Sequence, residues 1–158
     1  MAIYQELARQ RPDAPELFLI GERWSDSLRA QIQATGLGSK IHEIENCSNE
    51  MLTAFYSAAE LLLFPSLMEG FGWPVIEAQA CGCPVVAGDI PALREAGGDA
   101  AIYIDPRNPS QGAEAIAAFL KGSDRARHIE AGHANVPRFS VDKMIDRHLA
   151  EYQRAVRR

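Results

Sequence analysis

Apolar residues recur along the chain in five short runs at nearly even spacing: Leu17–Ile20 (LFLI), Ile41–Ile44 (IHEI), Leu61–Phe64 (LLLF), Val85–Ala87 (VVA) and Ala101–Ile104 (AIYI). Runs of this length, bounded by turn residues, predict strands. Helical patterns separate them. Ser25–Thr35 follows the first run, with Ser25 or Asp26 as N-cap and Gly36 as a C-terminal stop. Ser48–Ala58 follows the second; Ser48 opens it as a cap, and Met51, Leu52, Phe55 and Tyr56 form an apolar stripe. Pro74–Ala80 follows the third run, and Pro91–Ala96, stopped by Gly97-Gly98, follows the fourth. The tail is helical: Gln111–Leu120, Arg125–Ala134 and a long Val141–Arg157 whose Met144, Ile145, Leu149 and Tyr152 share one face.

Alternating strands and helices make βαβ units. Parallel strands need such crossovers, and short all-apolar strands suit a sheet covered on both faces. The expected fold class is therefore α/β, a Rossmann-like open parallel sheet with flanking helices and a helical C-terminal tail. The start is unusual for that class. Ala2–Gln10 (AIYQELARQ) predicts a helix before the first strand, as though the chain opens within a domain.

The length of 158 residues suits one domain with one sizeable core. Apolar residues make up 47% and charged residues 23%, in the range of globular proteins. The formal charge of −5, from 16 basic and 21 acidic residues, argues against general nucleic-acid binding, which needs a basic footprint. Cys47, Cys81 and Cys83 are odd in number and form no CxxC pair, so they are expected as small hydrophobes in a reducing compartment. His42, His128, His133 and His148 show no helical metal-binding spacing, and each is expected as a packing or surface residue. The longest apolar run, Leu61–Phe64, is far too short to cross a membrane.

The chemistry concentrates in EGFGWPVIE, residues 69–77. This stretch leaves the carboxyl end of the third strand, where ligands bind in open α/β sheets. Gly70 and Gly72 allow a close backbone approach, Pro74 suits the start of a helix, and the free N–H groups there favour an anion such as a diphosphate. Two carboxylates flank this anion-ready turn. A carboxylate only accepts hydrogen bonds, so Glu69 and Glu77 must face donors, and sugar hydroxyls are the obvious ones. The pattern fits a ligand with an anionic centre and a polyol at each end, such as a nucleoside-diphosphate sugar. A blander reading makes Glu69 a solvated loop residue and Glu77 a first-turn glutamate that favours the helix dipole. A paired-carboxylate glycosidase site is a weaker rival, because it has no need of a phosphate-ready turn.

The stretch Phe64 to Pro106, FPSLMEGFGWPVIEAQACGCPVVAGDIPALREAGGDAAIYIDP, resembles the C-terminal, donor-nucleotide-binding half of a retaining GT-B glycosyltransferase of family 4, glycosyl transferases group 1. The family pattern of E-G-F-G-x-P-x-x-E-A, then G-x-P-V-V, E-x-x-G-D-A and D-P is nearly complete, and a weaker likeness runs from Leu17 to Tyr152. The resemblance implies that Glu69 holds donor-sugar hydroxyls and is the catalytic position. It implies that Glu77 holds the ribose and that the backbone of Gly70, Phe71 and Gly72 meets the diphosphate and sugar. Asn46 and Cys47 lie where the family's loop borders the base. It further implies no cofactor and no metal, a UDP- or GDP-sugar as donor, and a cytoplasmic enzyme, peripheral at a membrane in its full-length form as an alternative. No transmembrane segment is expected.

Three departures qualify the likeness. The chain, 1–158, corresponds to a single donor domain. The family's N-terminal acceptor domain, its first donor-half strand and the Arg and Lys after that strand have no counterpart. Arg23 is expected as a solvated residue rather than a substitute for them. Where the family has Phe-Leu-Gly after the second strand, this chain has Glu43-Ile44-Glu45. Trp73 stands where Leu is common and is expected to pack. The chain alone is expected to be inactive, and the alternatives are a non-catalytic nucleotide-sugar-binding module or remnant, or a GT-B nucleotide-sugar 2-epimerase.

Overall fold

The computed structural model describes residues 1–156. The last helix is seen to Val156, and the expected end at Arg157 lies outside the described residues. The element order is α1 (Ala2–Gln10), β1 (Leu17–Gly21), α2 (Asp26–Thr35), β2 (Ile41–Glu45), α3 (Asn49–Ala58), β3 (Leu62–Phe64), α4 (Trp73–Ala80), β4 (Val85–Gly88), α5 (Pro91–Gly97), β5 (Ile102–Ile104), α6 (Pro109–Lys121), α7 (Arg125–Asn135) and α8 (Val141–Val156). Caps placed from sequence are present. The Ser25 and Ser48 hydroxyls accept the N–H of Leu28 and Met51, and Gly36 ends α2 in the left-handed region.

All strand pairs are parallel, as expected, but they form two ladders. β1 pairs with β2, Leu17 opposite Ile41 through Gly21 opposite Glu45. β3 pairs with β4 and β4 with β5. No ladder joins β1 to β3 among the described residues.

The core follows the two-residue period of a strand. On β4, Val86 faces one way and joins Ile3, Tyr4, Leu7, Ile104 and Ile116, beneath α1 and α6. Its neighbours Val85 and Ala87 face the other way and pack with Val75, Ile76, Leu93 and Ala96 of α4 and α5. β4 is buried along its whole length. β3 is equally apolar yet only half-buried, and α3 has no fully buried residue. The tail helix α8 stands away from the body, with Met144, Ile145, Leu149 and Tyr152 all about half-exposed or more.

Candidate functional site

The loop from β3 to α4 carries Glu69, Gly70, Phe71 and Gly72. Two glycines fix its course. Gly72 is the N-cap of α4 at φ 107, and a Cβ there would come within 2.6 Å of Leu93 Cδ2, so neither the backbone angle nor the space admits a side chain. Gly88, at the end of β4, lies directly under the loop, and a Cβ there would run into the Ser66 carbonyl oxygen. α4 starts one residue earlier than the sequence predicts, at Trp73, because Gly72 takes the cap position and Pro74 sits in the first turn.

The cap is glycine, so no side chain satisfies the start of the helix. Among the described residues, none accepts the backbone N–H of Gly70, Phe71, Gly72 or Trp73. Four successive backbone donors without a partner, of which Gly72 is buried, thus stand at a helix start, where such groups favour an anion. The Phe71 ring packs edge-on to Phe139 with ring centroids 5.5 Å apart. Trp73 packs edge-on against Phe71 at 5.1 Å but is 57% exposed, so its expected packing is partial.

Glu69 is half-buried in the loop and Glu77 is exposed one turn into α4. The surroundings of Glu77 show in Tyr56 of α3. Burial, followed by the nearby Glu77 carboxylate, pushes the Tyr56 phenol up to about 12. Burial and then the same carboxylate also raise the Cys81 thiol. Cys83 is 2% exposed, and burial pushes it up to about 11. All three cysteines are free thiols, of which Cys83 is buried and the other two half-buried.

α4 is held from below by a polar link that the sequence does not reveal. The buried Gln79 amide donates to the Gly97 carbonyl at 2.9 Å. The Asn135 amide of α7 donates to Gln79 Oε1 at 2.8 Å and to the Ala96 carbonyl at 2.7 Å. Arg138 closes the link on Asn135 Oδ1 at 2.6 Å. Such links mark no simple sequence period, so only the fold brings Gln79 and Asn135 together.

Asn46 and Cys47 lie on the loop after β2, a second loop at the carboxyl end of a strand. Asn46 adopts φ 52, the only non-glycine residue in the left-handed region among the described residues, and is exposed. The Cys47 thiol points at the neighbouring Ser48 carbonyl at 3.6 Å. Glu43, which opens the Glu43-Ile44-Glu45 departure, has an internal task. It accepts the Trp24 N–H at 2.5 Å and pairs with Arg29 at 2.8 Å, fastening the loop after β1 to β2. Burial pushes the Glu43 carboxyl upward, but these partners outweigh burial and hold it below its ordinary range. Arg23 is largely exposed and lies 3.9 Å from Glu45. Asp89 and Arg94 form a forked pair at the end of β4, which holds Asp89 below the usual carboxylate range. Arg94 also lies over the Tyr103 ring at 4.7 Å, so its charge is committed locally. The histidines are packing or surface residues: His42 stacks on Phe18, and His128 Nδ1 lies 2.9 Å from the Ala100 carbonyl.

Comparison with known proteins bears on the family and the fold. Residues 2–135 match the family described as glycosyl transferases group 1. A D-inositol 3-phosphate glycosyltransferase of Catenulispora acidiphila is 32% identical over 134 residues, 83% of this chain and 32% of its own. An O-antigen chain mannosyltransferase B of Escherichia coli is 32% identical over 157 residues, 95% of this chain and 40% of its own. The chain thus spans between 15% and 40% of the length of the curated relatives compared with it. Among solved structures, the sucrose-phosphate synthase of Thermosynechococcus elongatus superposes with a TM-score of 0.80 at 25% identity, over 98% of this chain and 41% of its own. HepE of Anabaena, solved in complex with UDP, superposes at 0.78 with 22% identity, over 97% of this chain and 44% of its own. A parallel α/β frame, a donor-rich glycine turn between two glutamates, and a match running over most of its length together make this chain a member of the glycosyl transferases group 1 family.

Proposed function

We propose that this chain is the donor-nucleotide domain of a retaining, metal-independent family 4 glycosyltransferase. The parent enzyme moves a sugar from a nucleoside diphosphate to a hydroxyl acceptor in polysaccharide or glycoconjugate synthesis. The observation that carries the reading is the row of four free N–H groups from Gly70 to Trp73, set between Glu69 and Glu77. Backbone donors suit the diphosphate, and the acceptor-only carboxylates suit hydroxyls on either side of it. In this arrangement Glu77 holds the ribose hydroxyls, and Glu69 holds the donor sugar and is the catalytic position. The amides stabilise the charge that builds on the leaving diphosphate, a form of electrostatic catalysis. Asn46 and Cys47 border the base. The UDP found in the Anabaena structure and the sugar-transfer names of the relatives support this assignment.

The test is a calorimetric or NMR titration of the chain with UDP, GDP and ADP. One diphosphate is expected to bind, and Glu77→Ala to weaken it about tenfold or more, the loss of roughly one charge-assisted hydrogen bond. Binding of none of the three overturns the donor-domain assignment for this chain. We also propose that these 158 residues by themselves do not turn over, because they span only 32% to 40% of the length of the glycosyltransferases compared above. Sustained sugar transfer by these 158 residues overturns that proposal.

A further inference from the structure

Trp73 is the largest side chain at the glycine turn, and the diphosphate assignment gives it no task. It is 57% exposed, although a tryptophan gains more than most side chains by leaving water. Among the described residues its one aromatic neighbour is Phe71, edge-on at 5.1 Å, and Phe71 is braced in turn by Phe139. A single aromatic contact steadies the indole and leaves more than half of it to solvent. Other rings of the molecule are more fully used. Arg29 lies over Trp24, Arg94 over Tyr103 and Arg138 over Phe139, and the exposed Phe18 stacks on His42. Among the described residues no cation lies over Trp73. A flat π-face and one N–H donor therefore stand available beside the turn.

The place of Trp73 in the turn says what meets it. The unpartnered backbone donors run in chain order from Gly70 to Trp73, so the indole is carried by the last of them, and Glu69 precedes the first. Trp73 is also the first residue of α4, and Glu77 stands four residues on. Residues four apart share one helix face, and helical side chains lean toward the N-terminus, so Glu77 leans toward Trp73. Both are exposed on that face. A ligand that lays its diphosphate on the donors and a polyol on Glu77 passes beside the indole between the two. We propose that Trp73 is a stacking residue for the donor, its indole covering the nucleoside whose ribose Glu77 holds. This rests on the proposed function, in which Glu77 is the ribose residue. The transferred sugar, on Glu69 at the other end of the donor row, is not what the indole meets. Stacking demands no particular hydrogen-bond pattern, because every base has a π-face. Trp73 therefore adds affinity for the nucleoside as such and does not choose among bases.

The experiment uses the intact chain, labelled with nitrogen-15, and UDP, GDP and ADP added in turn. The chain has two tryptophans, so its spectrum carries two indole N–H signals, and Trp73→Leu identifies that of Trp73 by its loss. The exposure of Trp73 makes this change a mild one for the fold. The nucleotide that binds is expected to shift the Trp73 indole signal and to give nuclear Overhauser contacts between the Trp73 ring and its ribose or base protons. It is expected to bind Trp73→Leu about fivefold or more weakly, the loss of one stacked ring. Nucleotide binding without those contacts overturns the proposal, even where the Leu variant binds more weakly, since Trp73 then serves only to prop Phe71 and the glycine turn. Equal affinity of parent and Leu variant overturns it too. Binding of none of the three nucleotides to the parent chain removes the donor-domain assignment and this inference with it. The two failures are distinct, because binding by the parent is measured before Trp73 is altered.

Discussion

Tyr56 is a built-in reporter of the Glu77 carboxylate. Its phenol is raised to about 12 by burial first and by Glu77 second. Glu77→Gln is therefore expected to lower the Tyr56 midpoint while leaving it above the ordinary value of 10.0, because burial remains; an ultraviolet or NMR titration reads this directly. An unchanged midpoint would separate the two side chains. Cys83 makes a second prediction at this scale. Its thiol is raised from an ordinary 9.0 to about 11 by burial. Between these values the unfolded chain has released the proton and the folded chain still holds it, so stability is full below about pH 9 and falls as the pH rises toward 11. The slope is at most about 1.4 kcal/mol per pH unit, and chemical denaturation of Cys83→Ala across the lower half of that window should show a shallower fall than the parent. At neutral pH a thiol reagent is expected to modify half-exposed Cys47 well before Cys83.

At the scale of elements, α4 is placed by what lies beneath it. Gly88→Ala is expected to push the Pro65–Glu69 segment outward, since the new methyl meets backbone and not a yielding side chain. A cost of about 1–3 kcal/mol is expected for such overpacking, together with weaker nucleotide binding in the same titration. Asn135→Leu leaves the Gln79 amide oxygen buried without a donor, at a cost of about 1–3 kcal/mol by denaturant unfolding. The strands and most helices were readable from sequence because short apolar runs bounded by turn residues, such as VVA in the fully buried β4, have little other use. The caps at Ser25 and Ser48 and the glycine turn were readable because each is a local rule about backbone donors. The Gln79–Asn135 link was not, because it joins residues 56 apart on two helices with no shared period. The internal use of Glu43 escaped for the same reason: its partners, Trp24 and Arg29, come from the preceding unit.

At the scale of the whole molecule, sequence order told which segments are strands but not that β1 and β3 stand apart. Strand order is a property of long-range pairing, and an absent neighbour leaves no mark in the apolar pattern of the strands that flank it. The tail helix α8 is equally set apart. It touches the body through the short turn Val136–Phe139 before it, and its apolar stripe faces outward. A chain ended after Ser140 is therefore expected to keep the melting temperature of the body within about 2 °C, the shift of well under 1 kcal/mol, by calorimetry. A larger drop would mean that α8 folds back onto the body.

The contact of α1 with α6 has a further consequence. With no ladder between β1 and β3, the unit of β1, α2 and β2 is tied to the rest chiefly through α1, whose Ile3 lies against Gly112 and whose Tyr4 hydroxyl reaches back to the Pro15 carbonyl at 2.8 Å. The helix acts as a clasp between the two ladders. Loosening it, as by Ile3→Ala, is expected to raise amide exchange in β1 and β2 before it does so in β3, β4 and β5, with the boundary along the unpaired edges of β1 and β3.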